Sequence, residues 1–383
     1  MKKVTIFLFY FLVARALRLW SALVLRSKLD VVFISNYRDD TDVTRFGFWD
    51  INSAPDVLSW ICYEWEGIKG QLLMIGSTTE QIVGEKAIYN NKQKAKQQFV
   101  AAVHKAVNKG SKVILLAAAT KRLLKQEELQ KLFPNVIFTI GDNFTALLLQ
   151  KRIAEAFELS GLKPNNSRAL IIAPHGFLGS AALHFLQSVQ CKILGLGKKE
   201  KQIGFERYAE RHGFQSVYSF EQVIDKVDLV VACSSDPQYM LQSADIENLC
   251  NGHKLIVVDP CQPPNITPNV YYNNSHKLIH YDAGNGYSKY LKYIGGAIAS
   301  RILRLTDRTT FGCFCEAFLI AKHPELKQRN WFVVSPENIN AVSKFFGEEQ
   351  GQFNLPKPTC FGKPIPQQQN EKFIDWSWRK DEI

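Results

Sequence analysis

The eight cysteines include no C-x-x-C pair, and no Cys/His cluster has zinc-finger spacing. This excludes a structural zinc site and leaves no metal expected. The chain also lacks a clean apolar run of the ~20 residues that a membrane span needs. Its first hydrophobic stretch, from Val4 to Leu25, is broken by Arg15 and Arg18 and closed by Arg26. No nucleic-acid module is present, and the Lys and Arg read as spread along the chain, so nucleic acid is not the expected partner. Charged residues make up only 22% of the chain against 46% hydrophobic and 12% aromatic, which excludes a disordered, collagenous or coiled-coil protein.

What is present is a basic globular chain of 383 residues, long enough for two domains, with 47 basic and 36 acidic side chains and a net charge of +11. That excess suits an acidic carrier protein, a phosphorylated cofactor or an anionic membrane surface. Thiols scattered through predicted core strands, such as Val231 to Cys233, imply a reduced, cytoplasmic setting. No feature bears on oligomeric state. In residues 1–30, Lys2 and Lys3 precede the apolar run, and Ala14-Arg15-Ala16 has the form of a signal cleavage site. Arg15 and Arg18, three apart, share a helix face, while Trp20, Leu23 and Val24 suit a headgroup boundary. An interfacial helix making peripheral membrane contact, an element packed on the body, and a signal or span all remain open.

From Val31 the pattern is that of a folded α/β protein. Apolar strands are expected at Val31 to Ser35, Gln71 to Ile75, Lys112 to Leu116 and Val136 to Ile140, with helices at Lys92 to Asn108 and Asn143 to Ser160. Gly161 to Asn166 marks a boundary. Beyond it, Arg168 to Ala173, Cys191 to Leu196, Asp228 to Ala232 and Lys254 to Asp259 read as strands alternating with helices, the order a doubly wound dinucleotide-binding sheet requires. Tyr287 to Arg304, Thr310 to Lys322 and Pro336 to Phe346 read as helices. The expected organisation is an apolar and basic extension over 1–30, an α/β substrate domain over 31–165, and a Rossmann-like parallel-sheet domain over 166–286. C-terminal helices over 287–350 and a Pro/Gln-rich, poorly ordered tail over 351–383 complete it.

Two constellations carry chemistry. The turn Ala173-Pro174-His175-Gly176-Phe177-Leu178-Gly179-Ser180 joins a strand to a helix, where glycines let a pyrophosphate approach the helix N-terminus. Gly176, Phe177, Leu178 and Gly179 are its expected cofactor contacts. The next strand ends Gly197-Lys198-Lys199 without the acidic residue that binds a free ribose, and Lys198 and Lys199 suit a 2′-phosphate, favouring NADPH. A strand-helix corner and a solvated turn are the plain alternatives. In Thr309-Thr310-Phe311-Gly312-Cys313-Phe314-Cys315-Glu316-Ala317, a helix capped by Thr310 would place Cys313 in the first turn, where the dipole favours a thiolate. A packed core thiol is the alternative there, and Cys315 points to another face.

These residues resemble one family, the long-chain acyl-(acyl carrier protein) reductases of cyanobacteria, in order from about Val31 to Phe346. Phe48-Trp49 with Ser53-Ala54-Pro55 is similar to the family's F-W…S-A-P segment, and Gly141-Asp142-Asn143-Phe144-Thr145-Ala146 to its G-N-T-H-T-A helix start. The turn through Gly176-Phe177-Leu178-Gly179-Ser180 resembles G-x-T-G-x-x-G-S. Phe311 to Ala317 resembles F-A-C-F-A-E-A, whose cysteine accepts the acyl group, so the resemblance makes Cys313 the nucleophile. It implies NADPH-dependent reduction of an acyl thioester, on acyl carrier protein or coenzyme A, to a fatty aldehyde. The departures are specific: Ala173 replaces the first loop glycine, His175 a threonine and Phe144 a histidine, and Ala117-Ala118-Ala119-Thr120 stands where a paired glycine precedes threonine. They point to a divergent member. They also keep open a non-catalytic acyl- or carrier-binding descendant with a degraded cofactor loop. An NADPH-dependent reductase of another carbonyl compound is the third reading.

Overall fold

The computed structural model describes residues 8, 11–13, 15–16, 19, 28–234, 236–294, 300 and 303–365. The chain forms two compact units: Met1–Phe144 with Tyr287–Asn354, and Thr145–Gly286 with Leu355–Ile383. Of the expectations above, those for residues 366–383 and for most of 1–30 lie outside the described residues.

In the first unit, β1 (Val31–Tyr37), β2 (Val57–Trp65) and β3 (Ile68–Thr78) are followed by helix α1 (Tyr89–Asn108), β4 (Val113–Leu116) and β5 (Ile137–Thr139). β1 pairs in parallel with β3 and β4, β4 with β5, and β2 runs antiparallel to β3. The central strands are apolar on both faces, as a sheet covered on two sides demands. Ala95, Phe99, Ala102, Val103 and Ala106, spaced three and four apart, form the buried stripe of α1 against one face. The division into units falls inside helix α2 (Asp142–Ser160).

The second unit is doubly wound. It comprises β6 (Arg168–Ile172), helix α3 (Phe177–Ser188), β7 (Lys192–Leu196), helix α4 (Gln202–His212), β8 (Gln215–Val217), β9 (Leu229–Ala232), β10 (Leu255–Asp259) and β11 (Leu278–Asp282). The strand order is β11-β10-β9-β6-β7-β8 and every pairing is parallel, so the order reverses between β6 and β9. This is the α/β, Rossmann-like sheet expected from the sequence, with its switch point beside the β6–α3 turn.

The chain then returns to the first unit, and here the structure departs from expectation. Tyr287 to Arg304 does not begin as a helix: β12 (Asn285–Tyr287) and β13 (Leu291–Ile294) occupy it, and β13 extends the first sheet antiparallel to β2. Leu291 and Tyr293 are buried while Lys292 between them is exposed, a period of two that fits a strand. Residues 295–299 and 301–302 of that span lie outside the described set. After β14 (Thr309–Phe311) comes helix α5 (Gly312–Lys322), whose Phe314 stacks on Phe33 of β1 at 4.0 Å. That packing makes 287–354 part of the first unit rather than a separate helical domain.

The tail also differs. β15 (Thr359–Cys360) and β16 (Lys363–Pro364) form a hairpin on the second unit. The Asp282 carboxylate at the end of β11 accepts from Thr359 Oγ1 at 2.7 Å, Phe361 N at 2.9 Å and Gly362 N at 2.7 Å. Arg152 Nη2 donates to Pro356 O at 2.8 Å. These bonds satisfy backbone groups that would otherwise leave 355–365 in solvent.

Candidate functional site

Cys313 is the second residue of α5 and is half-buried. Phe311, not Thr310, precedes the helix as its cap, and no side chain caps it. Gly141, with φ +74°, lies directly against the cysteine: a Cβ there would stand 2.2 Å from Cys313 Cβ and 2.5 Å from its Cα. Only glycine fits, for space and for backbone conformation alike.

A carboxylic acid completes the cluster. Glu316, one turn beyond Cys313, is fully buried on a helix otherwise lined by apolar side chains. Its Oε1 accepts from Thr139 Oγ1, and its Oε2 accepts from Phe144 N at 2.9 Å, in the first turn of α2. Thr139 Oγ1 in turn accepts from Gly141 N at 2.9 Å. Burial raises the Glu316 carboxyl to about 7, opposed by those hydrogen bonds and helped by the nearby Asp142. Asp142 is itself paired with Lys121, Nζ to Oδ2 at 2.8 Å.

The thiol behaves otherwise than expected from its place at a helix N-terminus. Burial pushes Cys313 up to about 12 and Asp142 pushes in the same direction; Lys121 and the Phe314 amide pull it back too little. The helix dipole is outweighed by desolvation and by two carboxylates, so Cys313 is a thiol at neutral pH and needs a base. Glu316 was the residue overlooked in the sequence, although an ionisable side chain within Phe314 to Ile320 was a readable signal.

In the second unit, Gly176 precedes α3 and no side chain caps the helix. Gly179 has the packing role of the third glycine in a nucleotide turn: a Cβ there would lie 2.1 Å from Ala173 O. Gly176 is not turned toward a ligand, since its N–H donates back to Ala173 O at 3.1 Å. Phe177 is half-exposed and Leu178 packs partly on the core. Ala173 has φ +56° and Ala118, in the first unit, +53°. Both alanines thus hold the left-handed backbone that favours glycine.

Lys198 and Lys199 line a cavity of about 440 Å³ at the carboxyl ends of β7 and β8. Glu200, Glu221 and Asp245 line it too, and Lys198 is ion-paired with Asp236. The positive field expected for a 2′-phosphate is therefore largely offset. His175 is exposed, edge-on to Phe205 at 5.6 Å, and held below its ordinary range by partial burial, Lys201 and Lys198. A nucleotide fits this unit in three respects: an uncapped helix start, a close helix-strand corner and an open cavity at the strand ends. Pro174, lacking an N–H, and the turned-back Gly176 reduce the amides on offer.

No family model matches the chain, and no curated protein matches it. Among solved structures, it is similar to L-tryptophan dehydrogenase from Nostoc punctiforme, with 10% identity over 92% of this chain and 90% of that one and a TM-score of 0.43. D-lactate dehydrogenase from Escherichia coli is 12% identical over 64% and 79%, with a TM-score of 0.29. The nucleotide-binding domain of glutamyl-tRNA reductase from Thermoplasma volcanium is 18% identical over 34% and 84%, with a TM-score of 0.25. All three scores lie below 0.5, so the fold assignment rests on the strand order and register described above.

Proposed function

We propose that the chain is a nicotinamide-dependent oxidoreductase that reduces an acyl thioester to an aldehyde through an acyl group carried on Cys313. The supporting observation is the placement of Cys313 at the start of α5, one helical turn from a buried carboxylic acid that titrates near neutrality. As a carboxylate, Glu316 takes the thiol proton while Cys313 Sγ attacks the thioester carbonyl carbon. The bond to the departing thiol breaks, and the proton passes to that leaving sulfur. A bound nicotinamide, NADPH on the reading of Lys198 and Lys199, would supply the hydride; the carbon–Sγ bond would then break, releasing the aldehyde and the Cys313 thiolate, which takes up a proton from solvent to return as a thiol. Gly176 to Gly179 would hold its phosphates, and an acyl carrier protein or coenzyme A would bring the acyl group.

The test is turnover. Incubation with a long-chain acyl-coenzyme A and NADPH should yield aldehyde and consume NADPH in equal amounts, and the pH profile should inflect near 7. Consumption of NADPH without Cys313 would leave a reductase of another carbonyl compound.

A second reading, a binding protein descended from such an enzyme, is favoured by the raised thiol and by alanine at both left-handed positions. Saturable NADPH binding at micromolar concentration supports the enzyme; none at millimolar concentration supports the binding protein.

A further inference from the structure

The positive charge is not dispersed in the way its even look suggests. Residues 1–29 carry six Lys and Arg and no acidic residue; residues 86–126 carry ten and again none. With those sixteen set aside, the remaining 31 basic residues face all 36 acidic ones, a net charge of −5. The whole excess of the chain therefore sits in two acid-free stretches, both in the first unit.

The end of the first stretch lies beside the C-terminal end of α1, within the second. Leu29 N donates to Lys109 O at 2.9 Å, and the Lys28 stem lies over Gly110, just past the end of α1. The first stretch also exposes apolar surface in a pattern. Leu8, Leu12 and Leu19 are helical and 48%, 65% and 68% exposed. On one helix, spacings of four and seven would put them within about 40° of each other around the axis. Arg15 lies over the Phe11 ring at 4.2 Å on the same segment.

Helix α1 supplies the second part. It has no side-chain cap and no acid in its first turn, and instead carries Lys92, Lys94 and Lys96 near its N-terminus, against the helix dipole. Ile88 and Tyr89 at its start are 60% and 75% exposed. Its outer face holds a shallow depression lined by Lys96, Gln97, Val100, Ala101 and His104. Folding stability alone would not select cations at a helix N-terminus beside exposed apolar residues; an anionic partner would. Among the described residues, no helix is long and apolar enough to cross a membrane.

We propose that the first unit docks on an anionic membrane surface, with the Leu8/Leu12/Leu19 stripe seated at the headgroup boundary and the α1 lysines facing the lipid phosphates. Leucines on one face with cations alongside are the combination that an interface binds, apolar burial and electrostatics adding to one another. The inference does not rest on the proposed chemistry and stands or falls separately from it.

The test is flotation of the full chain with vesicles of phosphatidylcholine alone and of phosphatidylcholine mixed with phosphatidylglycerol. The chain should float with the mixed vesicles, and the bound fraction should fall as salt rises from about 0.1 M to about 1 M. Leu8→Ser/Leu12→Ser/Leu19→Ser should abolish flotation. Lys92→Gln/Lys94→Gln/Lys96→Gln should weaken it about fivefold per lysine and flatten the salt dependence. Both variants should melt with the native chain, because the changed side chains are on the surface. No flotation with the mixed vesicles, or flotation untouched by both variants, would overturn the proposal. Binding to soluble polyglutamate without vesicle binding would also overturn it, and would make the surface a dock for an acidic protein.

Discussion

The two candidate sites, around Cys313 in the first unit and at the start of α3 in the second, use glycine in the same selective way. Gly141 and Gly179 are kept where a Cβ would come within 2.2 Å and 2.1 Å of other atoms. Ala118 and Ala173 hold a left-handed backbone without glycine. A steric clash with backbone has no escape, whereas a left-handed alanine costs on the order of 1–2 kcal/mol. Each unit therefore has glycine where space demands it and gives up backbone freedom at its left-handed alanine. In the second unit that loss falls where a phosphate would approach.

The largest effect expected is from Gly141→Ala. It adds a clash with Cys313 to a φ of +74°, and should lower unfolding stability by about 3–5 kcal/mol in denaturant titrations. A loss below about 1 kcal/mol would mean that the corner can yield.

Next is the tail clasp on the second unit. His280 of β11 is fully buried, with Asp259 Oδ2 at 3.6 Å and Asp282 Oδ1 at 3.8 Å. Burial lowers its affinity for a proton, but Asp259, Cys360 and Asp282 outweigh burial and raise it to about 10 from an ordinary 6.5. A raised histidine stabilises the fold fully below about 6.5 and loses that contribution as pH rises through about 10. Stability of the native chain should thus decline between pH 7 and 10, and His280→Gln should flatten that decline.

Glu316 gives a slope of the same sign in the first unit, at lower pH. Its carboxyl is raised from 4.5 to about 7, so the native fold binds the proton more tightly and stability falls as pH rises across that window, by about 3 kcal/mol when ionisation is complete. Glu316→Gln should remove the slope and, if the acid serves Cys313, remove the inflection near pH 7 from the rate. Loss of the stability slope alone would leave Glu316 a capping residue for α2.

The smallest effect is the most discriminating between the two corners. Ala118→Gly and Ala173→Gly should each change stability by no more than about 1 kcal/mol, relief of strain being offset by chain entropy. Only Ala173→Gly should tighten NADPH binding, severalfold in a titration. Equal effects of both on binding would contradict the assignment of the α3 corner to the nucleotide.

Much of the second unit was legible because its strands are short, uniformly apolar and separated by helices of ordinary period. Two of the strands missed, β11 and β2, owe it to burial or register that depends on distant residues. β11 reads Leu-Ile-His-Tyr-Asp because His280 and Asp282 serve the tail clasp, and nothing local predicts a partner some eighty residues on. β2 shifts register between Ser59 and Cys62, which disturbs its alternation. At the site, Cys313 and Gly141 were marked by their motifs, while the charges that decide the thiol's state, Asp142 and Glu316, come together only in the fold. The asymmetry of charge is fully present in the sequence, in blocks that the overall composition averages out.

The most direct measurement is intact-protein mass after incubation with a long-chain acyl thioester, with and without NADPH, for the native chain and Cys313→Ser. The account predicts an adduct of one acyl group on the native chain alone, cleared by NADPH with release of aldehyde. An equal adduct on Cys313→Ser, or none on the native chain at a pH above that of Glu316 ionisation, would contradict it.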